Sequence, residues 1–302
     1  MREGVDDFMK KKKSGEKVFD YTVNIILIIV AVVCIYPLWY VLIASFSSPT
    51  AIASGEVILW PKGFTLDGYT RVIENKNIWI GYRNSILYTI AGTAVDFLIQ
   101  IPVAYALSRK SLPGHRIIMA LFVFTMYFSG GIIPKYLLLN SLHMINSPIA
   151  LIIPSCVNVF NIIIAKSFFE GSVPDSLYDA ARIDGCGYTR FFARIVLPLS
   201  PALLAIIALY CIQRHWNVFL DAEMYMIDSK YYTLQQVIRN ITAKLDANLM
   251  EVMEGTELMR MMQEKQLLKY SVVVVSVVPL VIIYPFVQKF FVRGVMVGAV
   301  KG

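Results

Sequence analysis

Charge is scarce in this chain: 16% of its 302 residues are Asp, Glu, Lys or Arg, against 57% hydrophobic. A soluble domain carries nearer a quarter charged residues, so a water-exposed globule of this size is excluded. Histidine is scarcer still, with His115, His143 and His215 scattered at no metal-ligand spacing. Of the four cysteines, Cys34, Cys156 and Cys211 fall inside apolar runs and Cys186 in a polar stretch. None is placed for a disulfide, and all read as small buried hydrophobes. The dipeptide Gly-Lys does not occur, so no P-loop can be built, and no Ser/His/Asp arrangement converges in sequence. The chain therefore reads as having no ATPase or other catalytic motif of its own.

What the chain has instead is long apolar runs, at roughly 22–46, 85–107, 117–139, 149–168, 201–219 and 271–292, with a mean hydropathy of +0.61. About 20 apolar residues cross a hydrocarbon core as a helix, so the pattern predicts an all-α membrane protein of six spans. The first run is too long for a secretory signal and follows Lys10–Lys13 and Lys17, as a retained helix would. Basic residues in short loops set orientation. They place both termini and the 170–198 loop in the cytoplasm: a cytoplasmic N-terminus at 1–20, a transmembrane domain at 21–292 and a cytoplasmic tail at 293–302. The net charge of +7 is then topology rather than affinity for nucleic acid. Gly130, Gly131 and Pro134 predict a break or kink in the third run. The longest external segment, 221–269, carries an amphipathic pattern through Leu258, Met261, Met262 and Leu268.

The polar stretch between the fourth and fifth runs is the most specific feature. Pro174 suits the first position of a helix. Leu177, Ala180 and Ala181 then stand at i, i+3 and i+4 as one apolar face, open to a partner's groove. Gly185 ends the helix in the left-handed conformation, and Gly185 with Gly187 makes the turn into the next amphipathic stretch.

Asp179-Ala180-Ala181, Asp184-Gly185-Cys186, Phe192, Ile195, Pro198 and Pro201 fall at the spacings of an E-A-A, D-G-A, F…I…P…P pattern. That stretch resembles the cytoplasmic coupling loop of binding-protein-dependent ABC importers, with Asp179 replacing the usual Glu and Cys186 a small Ala. Phe128–Pro134, His215-Trp216-Asn217 and the tail from Gln288 to Gly302 further resemble the maltose-type carbohydrate permeases, in the subgroup linked to polysaccharides and their oligosaccharides. The resemblance implies a type I ABC importer permease fold with Leu177, Asp179, Ala180, Ala181, Asp184 and Gly185 coupling to an ATPase. It also implies a homologous second permease subunit, two ATPase subunits that bind ATP and Mg, an extracellular solute-binding protein, and an oligosaccharide cargo. The setting is the bacterial cell membrane, and the chain itself holds no cofactor or metal.

Several polar residues lie inside the runs. Asp96 and Gln100 share a helix face at i, i+4, Asn158 and Asn161 one at i, i+3, and Gln213, His215, Trp216 and Asn217 cluster at the outer end of the fifth run. Asn158, Asn161, Gln213, Trp216 and Asn217 supply amides for sugar hydroxyls and an aromatic face for a sugar ring. They also suit hydrogen bonding between helices. An ion-coupled secondary transporter is the alternative reading; it would place its coupling ion at Asp96, and no inverted repeat accompanies it.

Overall fold

The computed structural model describes residues 14–109, 111–251, 255, 265 and 267–286, and all regular structure among them is helical. These residues divide into two compact units. One runs to Val72 and includes the helix residues up to Val275; the other spans Ile73–Asp246 and continues from Ser276.

In the first unit, the long α1 (Ser14–Ser45) is strongly apolar, and its side chains from Leu27 to Leu38 are exposed within the chain. A helix hydrophobic all round belongs in lipid or against another protein. Its end packs Ile43 and Ala44 on α2 (Pro49–Ala53), where Ser48 caps the helix by accepting from the Ala51 N–H at 3.4 Å. Helix α3 (Asp67–Glu74) begins there too, and a Cβ at Gly68 would overlap the Ser271 hydroxyl of the last helix.

The second unit is organised on α4 (Lys76–Ser108), 33 residues capped by Asn75. At 1.5 Å per residue it is about 50 Å long, more than the roughly 30 Å of a hydrocarbon core. The chain continues through α5 (His115–Tyr127), α6 (Ile132–Ser141), α7 (Ile149–Ile152) with a 3₁₀ turn to Ser155, and α8 (Val159–Ser172). Next come α9 (Asp175–Ile183), α10 (Tyr188–Phe191) running into a π-helical turn to Val196, and α11 (Pro201–Trp216). The order closes with α12 (Leu220–Tyr225), α13 (Leu234–Glu251) and α14 (Leu267–Phe286). α4 packs along both α8 and α11. The core they share contains Ile101, Ala104, Ile162, Phe169, Leu203 and Ile207.

Among the described residues, three helices are long and apolar enough to span: Val18–Ser45, α4 and α14. The other predicted spans fall in bent helix pairs, so the count reaches six when each pair is one span. The third turns by 107° between α5 and α6, where Gly131 sits at φ +89°, the break that its glycines imply. The fourth run, expected as one helix, bends by 46° after the 3₁₀ turn. The fifth run, 201–219, is the single helix α11, which opens at Pro201; the Tyr188–Val196 helix before it, in the expected 170–198 loop, lies at 89° to it. The 221–269 segment holds most of α12, a 3₁₀ turn at Ser229–Tyr231, α13 and the first residues of α14; most of the Leu258–Leu268 pattern, the basic N-terminus and the tail from Gln288 lie outside the described residues.

Candidate coupling and translocation site

α9 stands on its own backbone chemistry. Pro174 is the N-cap rather than the first helical residue, with φ −64° and ψ 150°, and Asp175 puts a carboxylate on the positive end of the helix. At the other end the Cys186 N–H donates to the Ala181 carbonyl at 2.9 Å and the Gly185 N–H to the Arg182 carbonyl at 3.0 Å. That pair of bonds is a Schellman motif, and Gly185 occupies its left-handed position at φ +76°. Gly187 is ordinary extended backbone at φ −77°, so the turn needs only one special glycine.

The helix faces differ from the sequence expectation. Ala181, 7% exposed, and Leu177 pack into the core around Phe169, Phe191 and Val196. They hold the loop onto its own bundle, Ala181 buried and Leu177 half-buried. Asp179, Ala180, Asp184 and Gly185 are exposed, and Ile183, which sequence reasoning missed, is 87% exposed beside Ala180 at i+3. The signal for Ile183 was its apolar side chain beside Asp184-Gly185, where a solvated loop has no use for it. The loop is braced behind by Tyr178, stacked on Tyr188 at 4.7 Å and edge-on to Phe191. The hydrogen bond with Tyr188 is the main reason the Tyr178 hydroxyl is pushed up to about 12. Phe192 of the F…I…P…P series rests on Tyr105 of α4 at 5.0 Å, and Ile195 joins the same core. Between α4 and the loop lies a cavity of about 770 Å³, walled by Pro102, Tyr105 and Arg109 on one side and Tyr178, Asp179 and Arg182 on the other.

The polar residues of the bundle are drawn into specific pairings. Asp96, 0% exposed, accepts from Arg214 at 2.7 Å and lies 3.0 Å from the His215 Nε2. Arg214 is the partner an intramembrane carboxylate requires; it was legible as a basic residue at the end of the fifth run. Gly92 makes this approach feasible, since a Cβ there would overlap the His215 ring. Gln100 donates to the Cys156 carbonyl at 2.8 Å, satisfying backbone freed where the fourth span breaks. Asn158 caps α8 through the Asn161 N–H at 3.1 Å, and the Asn161 amide reaches the Cys211 sulfur at 3.6 Å. Trp216 is buried, with its indole N–H on the Ser276 carbonyl at 3.1 Å. The interior placements of Asn161 and Trp216 match interhelical bonding and leave no ring face for a sugar. Gln213 and Asn217 remain exposed on one face of α11 at i, i+4, and Asn158 is half-buried. Among the described residues no group of three or more His, Cys, Asp or Glu is placed to hold a metal.

Broken spans satisfied by neighbouring helices, with a short capped helix seated on their bundle, mark a multi-pass membrane protein. The chain belongs to the family described as binding-protein-dependent transport system inner membrane component, which matches residues 78–297. It is 37% identical over 289 residues to the polygalacturonan/rhamnogalacturonan transport system permease protein YtcP of Bacillus subtilis (strain 168), covering 95% of this chain and 99% of that protein. It is 26% identical over 299 residues to the arabinooligosaccharides transport system permease protein AraQ of Halalkalibacterium halodurans, covering 97% and 100%. In structure it is similar to a bacterial ABC transporter involved in the import of the acidic polysaccharide alginate, with TM-score 0.79, 28% identity, and coverage of 93% of this chain and 99% of that one.

Proposed function

We propose that this chain is one of a pair of permease subunits in an ATP-driven importer of oligosaccharides or polysaccharide fragments. An extracellular solute-binding protein delivers the cargo, and two separate ATPase subunits, which bind ATP and Mg, drive the cycle. Both termini and α9 face the cytoplasm. The observation that carries this reading is the two-faced α9: Leu177 and Ala181 seat it on the bundle while Asp179, Ala180, Ile183, Asp184 and Gly185 face outward. The relatives' carbohydrate cargoes support the substrate class. An ion-coupled mechanism is disfavoured, because the Asp96 carboxylate is already neutralised by Arg214.

The test is uptake by the co-expressed complex in proteoliposomes, with oligogalacturonate and a neutral oligosaccharide as probes. Uptake is expected to require ATP and to survive an ionophore; the reverse result overturns the proposal. Within the complex, the exposed Gln213 and Asn217 are proposed to meet the sugar. Gln213→Leu and Asn217→Leu are expected to weaken transport five- to thirty-fold at unchanged melting temperature, the size of roughly 1–2 kcal/mol of lost hydrogen bonding. Trp216→Ala is expected to lower the melting temperature instead.

A further inference from the structure

We propose that Arg109 is the positioning residue that ties the coupling helix α9 to the long span α4, so that movement of α9 is delivered to that span. The proposal rests on reading α9 as the element that meets the ATPase. Arg109 is the residue just past the last turn of α4, and its backbone N–H closes that turn on the Ala106 carbonyl. Its guanidinium Nη1 donates to the Asp175 carboxylate at 2.9 Å and to the Val173 carbonyl at 3.3 Å. Val173 ends α8 and Asp175 opens α9, so one planar group holds the corner between those helices. The same guanidinium lies 4.7 Å from the centre of the Tyr105 ring, which is itself wedged against Phe169 and Phe192.

Two features argue that this contact transmits force as well as stabilising the fold. The Arg109 side chain is only 16% exposed while Asp175 is 84% exposed. Its Nε and Nη2 are buried without an acceptor among the described residues. Burying idle donors costs free energy, and an ion pair to an exposed carboxylate returns little. The second feature is that α4 and α9 do not pack along each other, because the 770 Å³ cavity separates them. A helix standing over a cavity passes displacement only where it touches, and Arg109 is a touching point. Beyond it, Pro102 lies inside α4 and removes a hydrogen bond from the helix ladder. The segment from Val103 to Ser108 is therefore a short lever, hinged at Pro102 and pulled at Arg109. The Asp96–Arg214–His215 cluster pins the helix on the far side of that hinge.

The experiment measures sugar taken up per ATP hydrolysed by the full complex in proteoliposomes. Arg109→Met keeps the length and apolar stem of the side chain and removes the fork. The complex is expected to assemble and still hydrolyse ATP, with uptake per ATP down about five-fold, the upper end for losing an ion pair with one exposed partner. Arg109→Lys is expected to recover part of it, and Arg109→Glu combined with Asp175→Arg to recover more than either change alone. Ile183→Asp serves as the control at the ATPase side. If Ile183→Asp abolishes coupling while Arg109→Met keeps the normal ratio, Arg109 is no link and the coupling-helix reading stands. If both keep the normal ratio, that reading falls and this one with it. If Arg109→Met lowers assembly and melting temperature at a normal ratio, Arg109 is packing alone and the proposal is overturned.

Discussion

At the residue scale, the pairing of Asp96 with Arg214 and His215 shows how an expensive charge is kept inside a membrane bundle. The carboxylate was visible in the sequence as a lone acid within an apolar run, but its partners lie 118 and 119 positions away. Nothing in periodicity joins such positions; only the packing of α11 on α4 does. Gly92→Ala is expected to push the His215 ring off Asp96 and to destabilise the purified chain by about 1–3 kcal/mol, as overpacking does. Gly187→Ala, where an added Cβ has open space and ordinary φ, is the silent comparison in the same thermal melt. Outside the spans, Asp228 is held below the usual carboxylate range, first by the Asn146 amide at 2.8 Å and then by Lys230. A lowered pKa means a contribution present above the unfolded value, about 3.9, and lost as pH falls through the folded one. Amide exchange at Ile227 and Asp228, whose N–H groups donate to Asn146, is therefore expected to be insensitive to protonation of this carboxylate between pH 7 and 5 and to lose protection only below about 4.

At the element scale, α9 was readable as a short helix because its stop signal is chemical: Gly185 supplies the left-handed residue that a Schellman ending requires. Which face it turns outward was not readable, since Leu177, Ala180 and Ala181 make one stripe on a helical wheel. The bundle takes Leu177 and Ala181 and leaves Ala180 with Ile183. This separates two substitutions by which face of α9 they strike. Ala181→Arg is expected to lower the melting temperature of the permease itself, because it forces a charge into the core. Ile183→Asp is expected to leave that melt alone and to weaken retention of the ATPase subunits in a pull-down. The reverse pattern would mean that the outward face has been misassigned.

At the scale of the whole molecule, α1 exposes apolar surface along most of its length and, among the described residues, the third and fourth apolar runs are bent helix pairs. A bend inside a bilayer leaves backbone groups unpaired unless neighbours answer them, as Gln100 does at Cys156 and Asn158 at the start of α8. The proposed orientation has a direct check in Cys186, half-buried just past the end of α9, whereas Cys34, Cys156 and Cys211 lie in apolar runs. A membrane-impermeant maleimide is expected to label Cys186 in inside-out vesicles and not in right-side-out ones. Labelling from the outside would invert the topology and place α9 away from any cytoplasmic ATPase.

By itself the sequence determined the membrane as solvent, the number and order of apolar runs, and the short helix α9 with its glycine stop. Those properties are local: run length, charge density and turn chemistry act within a few residues of one another. Only the tertiary structure decided which polar side chains are spent inside the bundle, where the crossings bend, and which face of α9 is free. Those outcomes depend on partners far apart in the chain, where burial makes each hydrogen bond obligatory and leaves the helices few ways to satisfy them all.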